Sequence, residues 1–393
     1  MFCFFYLKIV YLLKRIGVKM TENKINISKC LSIHSLFKSI SNTFISLFMP
    51  LVILNELGYK VAIMYIMILS ASIILGLAVF YKVITKNPVF AICIHIFFAI
   101  GSYLITAIFG IKLLSIIFNA ICTGLGQSLY HSSIFSIISA NKSKSGFSYY
   151  HIFSFVGSIF MILFNGYILN TNQAFSLLLT CLISLGLYII SIIPFLIIKG
   201  NLKTKDDEIV KLREGIKLVK PFNVFHVSFG LQDLIVSLII PLFLAINNLS
   251  LQTIAFVVAV VNIVKILMTI FANFMYKKEK SFWSVFIGSL IFAISCVILP
   301  NIKNQVFIYI LSVLISISFP LFFISDCNIY AEKTKEFSHK AMILREFCVH
   351  GFRPLVLLPF LFITNLSFMI YFGVVLAILL IVSCYYFTRK KEN

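Results

Sequence analysis

Apolar runs long enough to cross a bilayer follow one another along the chain, separated by short polar segments that hold nearly all the charge. A hydrocarbon core about 30 Å thick is spanned by roughly 20 residues of helix, and lipid offers no partner to a bare peptide group, so such runs read as helices. The pattern predicts spans at residues 36–54, 61–81, 88–109, 113–139, 148–169 and 174–198. A second set follows at 221–246, 251–276, 281–299, 304–330, 341–365 and 367–387, giving twelve in all.

Composition agrees with that pattern. Hydrophobic residues make up 61% of the 393, charged residues 12%, and mean hydropathy is +1.05, which leaves little for a soluble domain. A net charge of +20 invites a nucleic-acid reading, but its placement decides otherwise. If both ends are cytoplasmic, 26 of the 33 Lys and Arg fall in inside segments, three (Lys60, Lys112, Lys303) fall outside, and four (Lys38, Lys265, Arg345, Arg353) lie within spans. That asymmetry fixes orientation by the positive-inside rule. It predicts a multi-pass protein of the cell membrane with cytoplasmic termini and the lipid bilayer as its partner. With no basic domain and no nucleic-acid motif, a nucleic-acid partner is not expected.

The nine cysteines stand singly inside apolar runs with no Cys-x-x-Cys pair and no His at ligand spacing, so neither a disulfide nor a bound metal is expected. No phosphate-binding Gly-rich loop is present either, so no nucleotide or other cofactor is expected.

The organisation predicted is an N-terminal cytoplasmic segment (1–33), a six-helix unit (34–198), a linker (199–220), a second six-helix unit (221–388) and a tail (389–393). The first residues carry Lys8, Lys14 and Arg15 within an apolar run with no small-residue cleavage site after it. Met20 is an alternative start; otherwise the segment is an interfacial helix. In the linker, Asp206, Asp207 and Glu208 precede Lys211, Arg213 and Lys217, as in a short amphipathic surface helix. The two units repeat in sequence. Ser46-Leu47-Phe48-Met49-Pro50-Leu51 recurs as Ser237-Leu238-Ile239-Ile240-Pro241-Leu242, 191 residues on. Tyr81-Lys82 recurs as Tyr276-Lys277, 195 on, and Gly157 aligns with Gly351, 194 on. Three nearly equal offsets in order point to a duplication.

Twelve spans, cytoplasmic ends, a charged central loop and a repeated six-span half resemble the major facilitator superfamily over residues 30–390. The resemblance implies two six-helix bundles related by an axis along the membrane normal, with substrate held between them near the midplane. It also implies that the first, fourth, seventh and tenth spans line a central cavity. The family's signature between the second and third spans, Gly-x-x-x-Asp-Arg/Lys-x-Gly-Arg/Lys-Arg/Lys, is here Tyr81-Lys82-Val83-Ile84-Thr85-Lys86-Asn87-Pro88, with neither the Asp nor the Gly.

Charge within a span costs several kcal/mol unless it is paired or faces water, so buried ionisable residues are the best pointers to a site. Asp233, Lys265 and Arg353 fall near mid-depth, and Asp326, Arg345 and Glu346 about one turn from the cytoplasmic surface. Glu346, His350 and Arg353 share a helix face by their spacing. Arg353 reads either as an anchor for an anionic group of the substrate or as the counter-ion of Asp233. Asp233 reads as a proton-coupling carboxylate or as half of a structural salt bridge. Asp326 with Arg345 reads as a gate that breaks on opening or as a permanent clamp. Asn42 stands eight residues before Pro50 as Asp233 stands before Pro241, and Gln127, Tyr130 and His131 form a polar cluster in the fourth span. Asn42, Gln127, His131, Asp233 and Asp326 thus come from each of the four expected cavity helices. His95, His151 and His226 read as satisfied interior or interfacial residues. Gly124 and Gly126, with Ser128 and Ser132, read as packing positions.

These readings predict a secondary active transporter, not an enzyme, moving a small solute by alternating access with proton coupling and no obligate protein partner. The mid-membrane cations Lys265 and Arg353 favour a solute bearing carboxylate or phosphate; an amphipathic or lipid-linked solute and a drug are also open. The rival is a membrane-embedded transferase acting on lipid or glycan, with His131 or His350 as acid or base. A channel is disfavoured by the lack of a filter-like segment.

Overall fold

Proline shapes the first and seventh helices in the same way. The computed structural model describes residues 27–140, 146–169, 173–194, 220–333 and 338–389. Helix α1 runs through Ile27–Thr43, a π-helical turn at Phe44–Phe48, and Met49–Leu57. Helix α7 runs through Asn223–Leu234, a π-helical turn at Ile235–Ile239, and Ile240–Ile246. Pro50 and Pro241 each stand one residue beyond these turns, after Met49 and Ile240. A proline ring clashes with the carbonyl four residues back and supplies no N–H. The preceding residue in each helix instead bonds five residues back, Met49 N–H to the Phe44 carbonyl and Ile240 N–H to the Ile235 carbonyl. The wide turn of a π-bulge follows.

The remaining helices are α2 (Tyr59–Lys86), α3 (Pro88–Phe109), α4 (Leu113–Ala140), α5 (Gly146–Ile168), α6 (Gln173–Ser191), α8 (Leu251–Lys277), α9 (Ser281–Ile298), α10 (Gln305–Lys333) and α12 (Ser367–Arg389). The eleventh region is broken. Where the pattern predicts one span over 341–365, α11 consists of Ser338–Gly351, Arg353–Leu357 and a 3-10 turn at Leu358–Leu361. Pro354 and Pro359 each stand at the start of a segment, where a missing N–H does no harm, and they interrupt any helix that would run through them.

Among the described residues ten helices are long and apolar enough to cross a membrane, and α6 has a shorter apolar stretch, Phe175–Ser191. Among the described residues the fold is all-helical, that of a multi-pass membrane protein. Residues 195–198 of the sixth predicted span, the linker helix at 199–219 and the segment before Ile27 lie outside the described residues. Helix α1 starts earlier than expected from hydropathy, and Leu31, Ser32, His34 and Ser35 at its start are buried.

Neighbour relations repeat. Helix α1 packs on α5 and α6, α2 on α4, α3 on α4 and α6; adding six to each number gives α7 on α11 and α12, α8 on α10, α9 on α10 and α12, all of them present. Across the two sets, α5 packs along α8, and α11 along both α2 and α4. Large apolar side chains such as Phe97 and Phe160 face outward, as a lipid solvent permits, while serines, asparagines and most of the described spanning charges turn inward.

Candidate functional site

Between the two sets of six helices lies a cavity of about 360 Å³, within the range of small-molecule sites, roughly 300–1,000 Å³. Its walls come from α1, α4, α7 and α10, as the family resemblance implies, and equally from α2, α5, α8 and α11. The additional four are the helices that pack across the two sets, so they close the sides. Of the nine site residues expected from sequence, Asn42, Gln127, His131, Asp233, Lys265, Arg345, Glu346 and Arg353 line this one space. Asp326 does not; it lies behind Arg345, 1% exposed.

The wall formed by α7 and α11 is built on a close approach. A Cβ at Gly230 would fall on the Val349 carbonyl, so only glycine lets the two backbones meet there. Contact at that distance lets Arg353 reach across, its Nε donating to the Gly230 carbonyl at 3.1 Å and its Nη2 to Asp233 Oδ2 at 2.6 Å. Ser237 Oγ, from the π turn, donates to Asp233 Oδ1 at 2.8 Å. Both carboxylate oxygens are therefore engaged, while the Asp233 side chain keeps 23% of its surface open to the cavity. Arg353 and Asp233 thus form an ion pair on the cavity wall. The helix break at Phe352 separates Arg353 from Glu346 and His350, yet all three still line the cavity.

Toward the end where α10 leads into α11, a second ionic chain is buried. Arg345 Nε donates to Asp326 Oδ2 at 2.6 Å and Nη1 to Glu346 Oε1 at 2.5 Å. His350 Nε2 stands 3.5 Å from Glu346 Oε2, and His226 Nδ1 stands 2.9 Å from Asp326 Oδ1, off the angle of a hydrogen bond. The Arg345 guanidinium also lies over Phe135, Phe229 and Phe323, at 5.8, 5.2 and 5.4 Å from the ring centroids. Phe135 of α4 meets Phe323 of α10 at 5.8 Å, and His151 of α5 meets Phe323 at 4.1 Å. Aromatic contact between the two sets thus narrows the cavity at this end.

Two cations on the cavity wall differ from these. Lys38, 4% exposed, sits over the Tyr130 ring at 4.1 Å, and Lys265, 9% exposed, sits over Phe319 at 5.2 Å and Phe155 at 5.7 Å. Among the described residues neither forms an ion pair with a carboxylate. Tyr130 is held by its own network, in which Tyr150 donates to it at 3.1 Å and His34 Nε2 lies 3.0 Å away. Because His34 Nδ1 faces the Ser191 carbonyl at 2.6 Å and must donate there, Nε2 accepts from Tyr130.

Sequence reasoning missed Lys38, although its place inside a span was the signal. It also misjudged His151. That side chain lines the cavity, and its buried Nε2 has no hydrogen-bond partner among the described residues. His226 is interior beside Asp326, but neither of its ring nitrogens has a hydrogen bond among the described residues, and His95 accompanies the Tyr188 hydroxyl away from the main cavity. Gly124 and Gly126 are packing positions, against α2 and His95. Among the described residues no group of three or more His, Cys, Asp and Glu could hold a metal ion.

No protein-family model and no curated protein matches the sequence. The fold, by contrast, has clear relatives. The chain is similar in structure to a bacterial homologue of the iron transporter ferroportin in its outward-facing state, with a TM-score of 0.70 and 11% identity over 93% of this chain and 100% of that one. The same homologue soaked with iron gives 0.69 and 11%, over 92% and 99%. At that identity the likeness establishes a shared fold over the 93% of this chain that it covers.

Proposed function

We propose that this chain is a secondary active transporter that moves a small solute by alternating access. Twelve spans, grouped as bundles at 34–198 and 221–388 with both ends in the cytoplasm, rock about the central cavity. The observation that carries this reading is the cavity itself, walled by four helices from each half and holding eight of the nine charged or polar groups singled out in the sequence. A fold shared with an outward-facing transporter homologue supports it. The iron of that homologue belongs to that homologue.

Asp233 serves as the proton-coupling group. It is the carboxylate on the wall with appreciable open surface, and its partner Arg353 sits on the seam between α7 and α11. Protonation releases Arg353, and release loosens the seam. The Asp326–Arg345–Glu346 chain is the gate at the cytoplasmic end, where its guanidinium ties α10 to α11 beneath the aromatic contacts.

The test is reconstitution into liposomes loaded with a pH-sensitive dye. A transported solute added outside shifts internal pH in the wild type. In Asp233→Asn the solute-dependent shift falls at least about tenfold, equivalent to about 1.4 kcal/mol, while exchange of internal for external solute persists. An unchanged pH signal in Asp233→Asn contradicts the coupling role.

A further inference from the structure

The cavity wall carries more cation than its own carboxylates neutralise. Four cations line it, Lys38, Lys265, Arg345 and Arg353. Arg353 is matched by Asp233, and Arg345 by Asp326 and Glu346. Lys38 and Lys265, one from each half, have no salt-bridging carboxylate among the described residues, although Asp233 lies within electrostatic reach of Lys265; each is at least nine-tenths buried and rests on aromatic rings. A buried ammonium without an anion is costly, and ring faces recover only part of that cost. His151 lies within electrostatic reach of both lysines, and its Nε2 has no partner.

We propose that Lys38, His151 and Lys265 form the binding site for a small organic anion, a carboxylate or phosphate on an aromatic or other apolar body. The anionic group completes the lysines from both halves at once. The apolar body packs on Phe155, Phe319 and Phe323, which line the same space. An anion that bridges the two bundles binds best when they are closed around it, which is the differential affinity that alternating access requires. This assignment rests on the carrier reading for its cycle but not for its binding chemistry. It also separates this chain from a carrier of bare metal cations, for which two wall lysines without a salt-bridging carboxylate among the described residues are repulsive.

The test uses the purified full-length chain with benzoate and phenyl phosphate as anionic probes, benzamide as the neutral isostere and Mn²⁺ as the cation. At least one anion raises the thermal midpoint in a saturable manner, by on the order of 2 °C or more, and benzamide does not. Lys38→Met and Lys265→Met each weaken that effect about 10- to 100-fold, the range for one charged hydrogen bond. Asn42→Asp places a carboxylate one turn from Lys38 and weakens the anion effect with the lysine intact, which covers the case in which a methionine variant fails to fold. The proposal is overturned if neither anion raises the wild-type midpoint, or if the rise is the same in the lysine variants. Anion binding without uptake into liposomes keeps this site and removes the carrier reading; Mn²⁺ uptake without anion binding does the reverse.

Discussion

The two halves share a backbone device and differ in charge. Helices α1 and α7 carry the same π turn and the same proline, 191 residues apart, and the close approach of α1 to α5 recurs between α7 and α11. Even the glycine contact recurs with its partners exchanged, Gly157 of α5 against the Leu36 carbonyl of α1 and Gly230 of α7 against the Val349 carbonyl of α11. On this common frame the C-terminal half places Asp233, Asp326, Arg345, Glu346 and Arg353, all paired, and the N-terminal half places Asn42, Gln127 and His131 with a lysine that no carboxylate answers. Geometry was kept and chemistry diverged, so one half carries the ionic clamps while each contributes to the shared space a lysine with no salt bridge among the described residues.

The largest test of this contrast is Arg345→Met. It strands Asp326 and Glu346 in the interior and costs about 3–5 kcal/mol, as loss of one partner of a buried ion pair does. Its counterpart in the first half by the 194-residue offset is His151, and His151→Ala leaves the thermal midpoint within a few degrees of wild type. Equal losses in the two variants erase the asymmetry.

Next come the glycines. Gly230→Ala and Gly157→Ala each force a methyl onto a carbonyl of the neighbouring helix and destabilise by about 1–3 kcal/mol. Gly230→Ala also displaces Arg353 from Asp233, so it impairs solute-dependent proton movement where Gly157→Ala does not. Denaturation midpoints and the liposome dye assay separate the two.

Asn42→Asp makes α1 resemble α7. A carboxylate four residues from Lys38 faces it on the same side of the helix and raises stability by about 1 kcal/mol, read as a higher midpoint in the absence of solute. A lowered midpoint shows that Lys38 has no room for a partner there. The smallest effect is Gly351→Ala, within about 0.5 kcal/mol, because nothing lies within 4 Å of a Cβ at that position. The sequence alignment pairs Gly351 with Gly157, so this variant also measures how far an aligned residue keeps its role.

Much of the fold was legible because lipid imposes a simple rule. Uninterrupted apolar stretches such as 61–81 and 251–276 become helices since nothing else satisfies their backbone, and the helices formed are α2 and α8. The break in α11 escaped hydropathy because Pro354 and Pro359 are themselves apolar enough to sit in a span, and only their missing N–H groups reveal it. Asp233 and Arg353 could be picked from depth alone, while their 2.6 Å pairing needed the Gly230 contact, which no spacing in the sequence announces. Lys38, though counted within a span, was passed over for a different reason. Hydropathy starts the first span at residue 36, which puts the lysine at the water's edge, whereas the helix begins at Ile27 and carries it inside. His151 escaped because a histidine in an apolar run looks the same whether or not its ring nitrogen has a partner.

The central claim is that the two halves move about the cavity so that one end closes as the other opens. Spin labels at Lys60 and Lys303, exposed at the end where α1 leads into α2 and α9 into α10, and at Lys86 and Lys280, exposed at the end where α2 leads into α3 and α8 into α9, report each end separately by pulsed dipolar distances. The account predicts two populations at each pair, with a proton gradient or bound benzoate lengthening one distance as it shortens the other. A single distance at both pairs, unmoved by gradient or anion, contradicts it.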